Sequence, residues 1–110
     1  MQSLNWAAIP AETVYPGITR QTILGTLQTL VRYVYQPGSR FPVHSHPQEQ
    51  ITLVISGSIE FTVDGTAILL GPGEVAVIPP GASHGARVVG DQVVESFNAL
   101  SPARVIQPGA

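Results

Sequence analysis

The chain has three histidines, His44, His46 and His84, and two of them fall in one short run, FPVHSHPQEQITLVISG. If that run is extended, His44 and His46 project from one face, because side chains alternate along a strand. Gln50 keeps the same parity, provided Pro47 makes no bulge, and Glu49 has the opposite parity. His84, closing the segment IPPGASH, can complete the group from another strand. Neutral imidazoles with a side-chain oxygen in a further position are donors for a divalent transition metal, with open positions left for a substrate. Residue types and parity alone leave a second reading, in which these histidines hydrogen-bond to water and carbonyls on a wet strand face or in a turn.

Other chemistries are excluded by what the chain lacks. Its 110 residues are 44% hydrophobic and 11% charged, with no Cys. There is therefore no disulfide framework, thiol nucleophile, iron–sulfur ligand or thiolate zinc site. The five basic residues are all arginine, so a lysine Schiff base is impossible. A formal net charge of −2 and scattered arginines give no basic stripe for phosphate backbones, and nucleic acid is not an expected partner. Uninterrupted apolar runs of three or four residues, such as Leu53–Ile55, Ala67–Leu70 and Val75–Ile78, are too short to span a membrane. With no basic N-terminal region either, the expectation is a soluble, cytoplasmic protein. Gly81-Ala82-Ser83-His84-Gly85 matches a nucleophile elbow, but prolines precede it, a β-rich stretch follows, and no histidine lies downstream. Serine hydrolysis is excluded.

The elements that must position the histidines are short. Pro/Gly signals at Pro16-Gly17, Pro37-Gly38, Ser56-Gly57, Asp64-Gly65, Gly71-Pro72-Gly73, Pro79-Pro80-Gly81 and Gly90-Asp91 separate segments rich in β-branched and aromatic residues. In Ser58–Asp64, Ile59, Phe61 and Val63 alternate with polar residues, the pattern of a strand with one buried face. Asp64-Gly65 supplies a tight hairpin turn into Thr66–Leu70, and Leu27–Gln36 also reads as a strand. No segment holds a helical apolar period for three turns. The fold class is all-β, one domain over residues 1–110. With ten prolines barred from central ladders, a small double-sheet jelly roll or barrel fits best.

The order of these signals is specific. Gly38, His44-Ser45-His46, Gln50 and Gly57 fall in residues 38–57; Gly73, Pro79-Pro80-Gly81 and His84 fall in residues 73–88. The two segments resemble the two signature motifs of the cupin superfamily at every Gly, Pro and His position. The resemblance implies a double-stranded β-helix holding one divalent metal ion on His44, His46, Gln50 and His84. Gln50 stands where many cupins carry Glu, and Val88 where Asn often closes the second motif. Losing that carboxylate leaves a more electron-poor metal and a stronger Lewis acid. Manganese, iron, cobalt, nickel, copper and zinc all suit the donor set.

Within the superfamily, HSHPQEQITLVISGSIEFTVDG resembles small single-domain cupins of pectin and alginate breakdown, which convert unsaturated uronates to open-chain ketonised sugars. That likeness implies a metal-dependent enzyme acting on a small oxygenated molecule such as a sugar acid. Glu95 in Glu95-Ser96-Phe97 is placed as the catalytic proton shuttle, if it faces the barrel interior, and Arg104 as the carboxylate clamp. A non-catalytic binding or sensing module and a metal-dependent oxygenase are the alternatives. Small cupins often pair through sheet edges, and the region 1–26 carries apolar Trp6, Ile9, Val14, Tyr15 and Ile18, so a homodimer contact is expected there.

Overall fold

A computed structural model describes residues 1–106. After one 3₁₀ turn (Trp6–Ala8) the chain forms ten strands: β1 (Glu12–Tyr15), β2 (Ile18–Leu24), β3 (Thr29–Tyr35), β4 (Arg40–His44), β5 (Glu49–Ser56), β6 (Ile59–Val63), β7 (Thr66–Leu70), β8 (Val75–Ile78), β9 (His84–Val88) and β10 (Val94–Ser101). They make two antiparallel sheets, a six-stranded one in the order β1-β2-β3-β10-β5-β8 and a four-stranded one in the order β4-β9-β6-β7. The all-β jelly roll expected from the punctuation is the fold observed. No helix among the described residues is long and apolar enough to cross a membrane.

The core lies between the sheets, and the expected alternation on β6 builds part of it. Ile59 and Phe61 are buried, and Val63 packs against them. The hairpin after β6 turns through Asp64 and Gly65, both with positive φ (47° and 82°). Gly57 turns the chain out of β5 at φ 76°, and a Cβ there would sit 2.6 Å from the carbonyl oxygen of Val93, so only glycine fits.

The N-terminal region packs on its own barrel. Ile18 is fully buried, Val14 and Tyr15 pack against the core, and Trp6 lies against Phe97 with ring centroids 5.6 Å apart. Gln21 Nε2 donates to the carbonyls of Trp6 and Ile9. Four of the five apolar side chains that suggested a partner contact therefore have partners within the chain.

Candidate metal centre

The histidine run is not one extended strand. His44 ends β4 in the small sheet, residues 45–48 cross between the sheets, and Gln50 is the second residue of β5 in the large one. Parity across Pro47 is therefore not what brings these side chains together. A bulge does part of the work: β4 pairs with β9 as Phe41↔Ala86 and then His44↔His84, one extra residue on β4. Pro42, with no N–H to donate, sits in that bulge. The shift turns His44 to the same side as Phe41 and sets it directly opposite His84. Gly85 permits the close approach of the two strands, since a Cβ there would be 3.1 Å from the Phe41 carbonyl.

Two further ties fix His46 and His84. Gly81 N–H donates to the His46 carbonyl at 2.9 Å, joining the two motif turns. The β6–β7 turn grips Ser83 through Asp64 N–H to the Ser83 carbonyl (2.8 Å) and Ser83 N–H to Asp64 Oδ1 (2.9 Å). Ser83, the serine of the elbow-like sequence, is thus in a structural clamp that presents His84.

The three rings converge. Their centroids are 4.3 Å (His44–His84), 4.9 Å (His46–His84) and 5.6 Å (His44–His46) apart, and one donor nitrogen from each lies within 4.8 Å of the others. Each Nδ1 faces a backbone carbonyl: Pro42 for His44 (3.1 Å), Gln48 for His46 (3.1 Å) and Ala82 for His84 (2.9 Å). For His44 and His84, donation from Nδ1 selects the tautomer that leaves Nε2 as a bare lone pair, the orientation metal-binding imidazoles need, whereas His46 has an oxygen acceptor at each ring nitrogen. His84 is 1% exposed, and its Nε2 has no hydrogen-bond partner. A buried polar atom left unpaired costs on the order of 1–3 kcal/mol, and an ion would offset that cost.

Gln50 is buried while Glu49 is exposed. Gln50 Nε2 donates to Thr52 Oγ1 (2.9 Å), which donates to Asn98 Oδ1 (2.8 Å). The relay turns Gln50 Oε1 toward His46 Nε2, 3.1 Å away. An imidazole nitrogen and an amide oxygen brought this close are both donors that a divalent ion would take. The residues present fit a metal ion. Burial lowers the pKa of His44 to about 4 and also lowers that of His46, partly offset by the contact with Gln50. Both rings thus stay neutral, the form that ligates.

The site opens into a cavity of about 130 Å³, also lined by Arg20, Tyr33, Phe41, Asn98 and Arg104. Room of that size is on the order of one six-membered ring. Arg104 reaches the cavity from the segment after β10, which Thr29 Oγ1 anchors through bonds to the Arg104 N–H and carbonyl (both 2.8 Å). Glu95 does not reach it. The expectation for Glu95 depends on an inward side chain, and β10 buries Val94, Ser96, Asn98 and Leu100 on its inner face. Glu95 points outward, where its carboxylate accepts from Arg32 Nε at 2.7 Å.

The sequence reading missed Arg20, Tyr33 and Asn98. Glu12, Arg20 and Tyr33 stand opposite one another across β1, β2 and β3. Arg20 is 2% exposed and bound to Glu12 at 2.7–2.8 Å. Burial works against its charge, but Glu12 and Tyr33 outweigh that and raise its pKa. Counting alternate residues back from Leu100 on β10 would have found Asn98.

Comparison with known proteins agrees with this geometry. The cupin-domain family (Cupin_2) matches residues 31–99. The chain belongs to that family. Among solved structures, an RmlC-like cupin from Shewanella frigidimarina is 26% identical, with a TM-score of 0.80, covering 89% of this chain and 87% of that one. KdgF from Halomonas sp. is 27% identical, with a TM-score of 0.78, covering 86% and 87%. A stretch of 56 residues, 49% of this cupin, is 39% identical to dimethylsulfoniopropionate lyase DddQ of Ruegeria pomeroyi and spans 28% of that enzyme's length. As a cupin, the chain carries a histidine triad able to hold a metal on a small antiparallel barrel.

Proposed function

We propose that this cupin is a metal-dependent enzyme acting on a small oxygenated molecule, with a sugar acid as the substrate class and isomerisation or ketonisation as the reaction. The observation that carries the reading is His84 Nε2, buried without a partner beside two further imidazoles and an amide oxygen. Held by His44, His46, Gln50 and His84, a divalent ion would supply Lewis acidity to a carbonyl or enol oxygen. Arg104 would fix a carboxylate through its guanidinium fork. Tyr33 would take the proton role that Glu95 is not placed to fill: burial raises its pKa, against the pull of Arg20, so the phenol holds its proton at neutral pH. The motif likeness to uronate-converting cupins supports the substrate class. The match to a dimethylsulfoniopropionate lyase adds a second carboxylate-bearing candidate.

One observation favours non-catalytic binding instead: none of the described residues lining the cavity is Asp or Glu. Steady conversion of unsaturated uronates separates the two. The enzyme reading expects turnover that a chelator stops, that added metal restores, and that Tyr33→Phe lowers on the order of 100-fold. Binding of the same compounds without turnover establishes the alternative. A homodimer belongs to the same proposal, with the exposed outer residues Ile51, Ile55, Val75 and Val77 of β5 and β8 as its apolar contact; a monomer by light scattering at micromolar concentration would refute it.

A further inference from the structure

All four proposed donors are neutral. As metal ligands the imidazoles of His44, His46 and His84 bring no charge, and Gln50 brings an amide where a carboxylate would have cancelled one unit. A divalent ion held by this set keeps its whole charge. The cavity wall does not compensate, because among the described residues it contains no Asp or Glu and does contain Arg20 and Arg104. Glu12 is committed to Arg20. Arg104 forms no salt bridge among the described residues, and it lines the same cavity as the four donors. Uncompensated charge in a low-dielectric cavity is expensive, and the cost is removed when an opposite charge enters.

We propose that the cavity takes up its metal ion and a carboxylate-bearing ligand as a coupled pair, the ligand supplying the negative charge that the protein donors lack. The proposal rests on the metal-centre reading and deepens it. A carboxylate suits both halves of the site: its oxygens are donors for a divalent ion, and its planar fork matches a guanidinium. A neutral sugar of the same shape offers the oxygens but not the charge. Coupling of this kind is reciprocal, so the factor by which the carboxylate tightens the metal is the factor by which the metal tightens the carboxylate. Gln50 is then the specificity-determining residue, since a carboxylate at that position would satisfy the ion without a ligand.

The test is a binding measurement on the metal-free full chain. Mn²⁺ is titrated in chloride-free perchlorate buffer, with free ion counted by electron paramagnetic resonance. D-galacturonate and lactate are added in turn, each against its partner bearing an alcohol in place of the carboxylate, D-galactose and 1,2-propanediol. The expected result is Mn²⁺ affinity at least about tenfold tighter with one or both carboxylates and unchanged with the alcohols. Gln50→Glu should bind Mn²⁺ tightly without any anion and lose most of the coupling. Arg104→Gln removes a like charge beside the ion, so it should tighten anion-free Mn²⁺ binding while weakening the carboxylate's effect. If Mn²⁺ binds wild-type protein but neither carboxylate tightens it, or the alcohols tighten it equally, the coupling is overturned and the metal centre stands. A carboxylate effect that vanishes as pH is raised, with anion-free affinity climbing to the same value, would assign the missing charge to hydroxide and also overturn it. If Mn²⁺ fails to bind under every condition, with His84→Ala indistinguishable from wild type, the metal-centre reading itself falls.

Discussion

The two ends of the barrel interior are built on opposite principles. At one end Ile18, Tyr35, Val54, Ile59, Val88 and Val94 close the space between the sheets with apolar side chains, none more than 7% exposed. At the other, buried positions carry His84, Gln50, Thr52 and Asn98, bound to one another or to backbone carbonyls. Fully burying one aliphatic side chain contributes about 1.5–3 kcal/mol, whereas a buried hydrogen bond nets about 1 kcal/mol. Stability is thus concentrated at the plug, which lets the polar end keep an unpaired imidazole nitrogen without unfolding the domain.

Reciprocal substitutions should split the two ends. Ile59→Ala removes a wholly buried side chain and is expected to cost about 2–5 kcal/mol in chemical denaturation. Ile59 pairs with Val88 and Val63 with His84, so four residues of strand, about 13 Å, separate the plug from the site. At that distance the metal affinity of folded Ile59→Ala should stay within about twofold of wild type. His84→Ala should do the reverse, lowering metal affinity about 100-fold or more while shifting the unfolding midpoint less than Ile59→Ala does. An equal loss of metal from both variants would show that the ends are one cooperative unit.

The same contrast explains what the sequence made legible. The plug and the strands are readable because β6 alternates cleanly and Asp64-Gly65 announces its turn. The metal donors are readable from the spacing of Gly, Pro and His, but the parity argument for them is not how they converge. Phe41 and His44 share a side only because Pro42 and Val43 occupy a bulge, and a bulge leaves no periodic trace. On β10 the outer face carries Phe97 and Ala99, as apolar as the inner Val94 and Leu100. Hydrophobicity therefore gives no sign of which alternate set faces in, and Glu95 could be assigned inward in place of Asn98. Arg20 was hidden for a related reason: an arginine in a strand reads as solvated until Glu12 is known to stand opposite it.

Acid should weaken the polar end first. In the metal-free protein, burial holds the pKa of His44 near 4, while an unfolded imidazole titrates near 6.5. Above pH 6.5 the ring is neutral in both states and costs nothing. Between 6.5 and about 4 the unfolded chain takes up a proton that the folded chain refuses, so stability falls with falling pH and levels off below about 4. His46, lowered in the same direction, adds to the loss. Denaturation midpoints across pH 7.5–4 should therefore slope more steeply for wild type than for a His44→Ala, His46→Ala variant. Parallel curves would mean that the fold does not keep these rings neutral. With neutral rings, metal retention should extend below the pH of about 6 that free histidine implies.

The smallest expected effect separates the two faces of one strand. Asn98 and Glu95 are three residues apart on β10, one inside the cavity and one outside. Asn98→Ala removes the acceptor that orients Thr52 and, through it, the Gln50 amide, so metal affinity should drop about tenfold. Glu95→Ala breaks only the Arg32 pair, whose partners are each 28% exposed, and Arg32 keeps its bond to Gln21 Oε1. Such a pair contributes at most about 1 kcal/mol, less at high salt. Metal affinity and any turnover should be unchanged in Glu95→Ala. If they fell instead, β10 would have to be shifted by one residue, which would swing Asn98 and Leu100 out of the barrel and leave Thr52 without its acceptor.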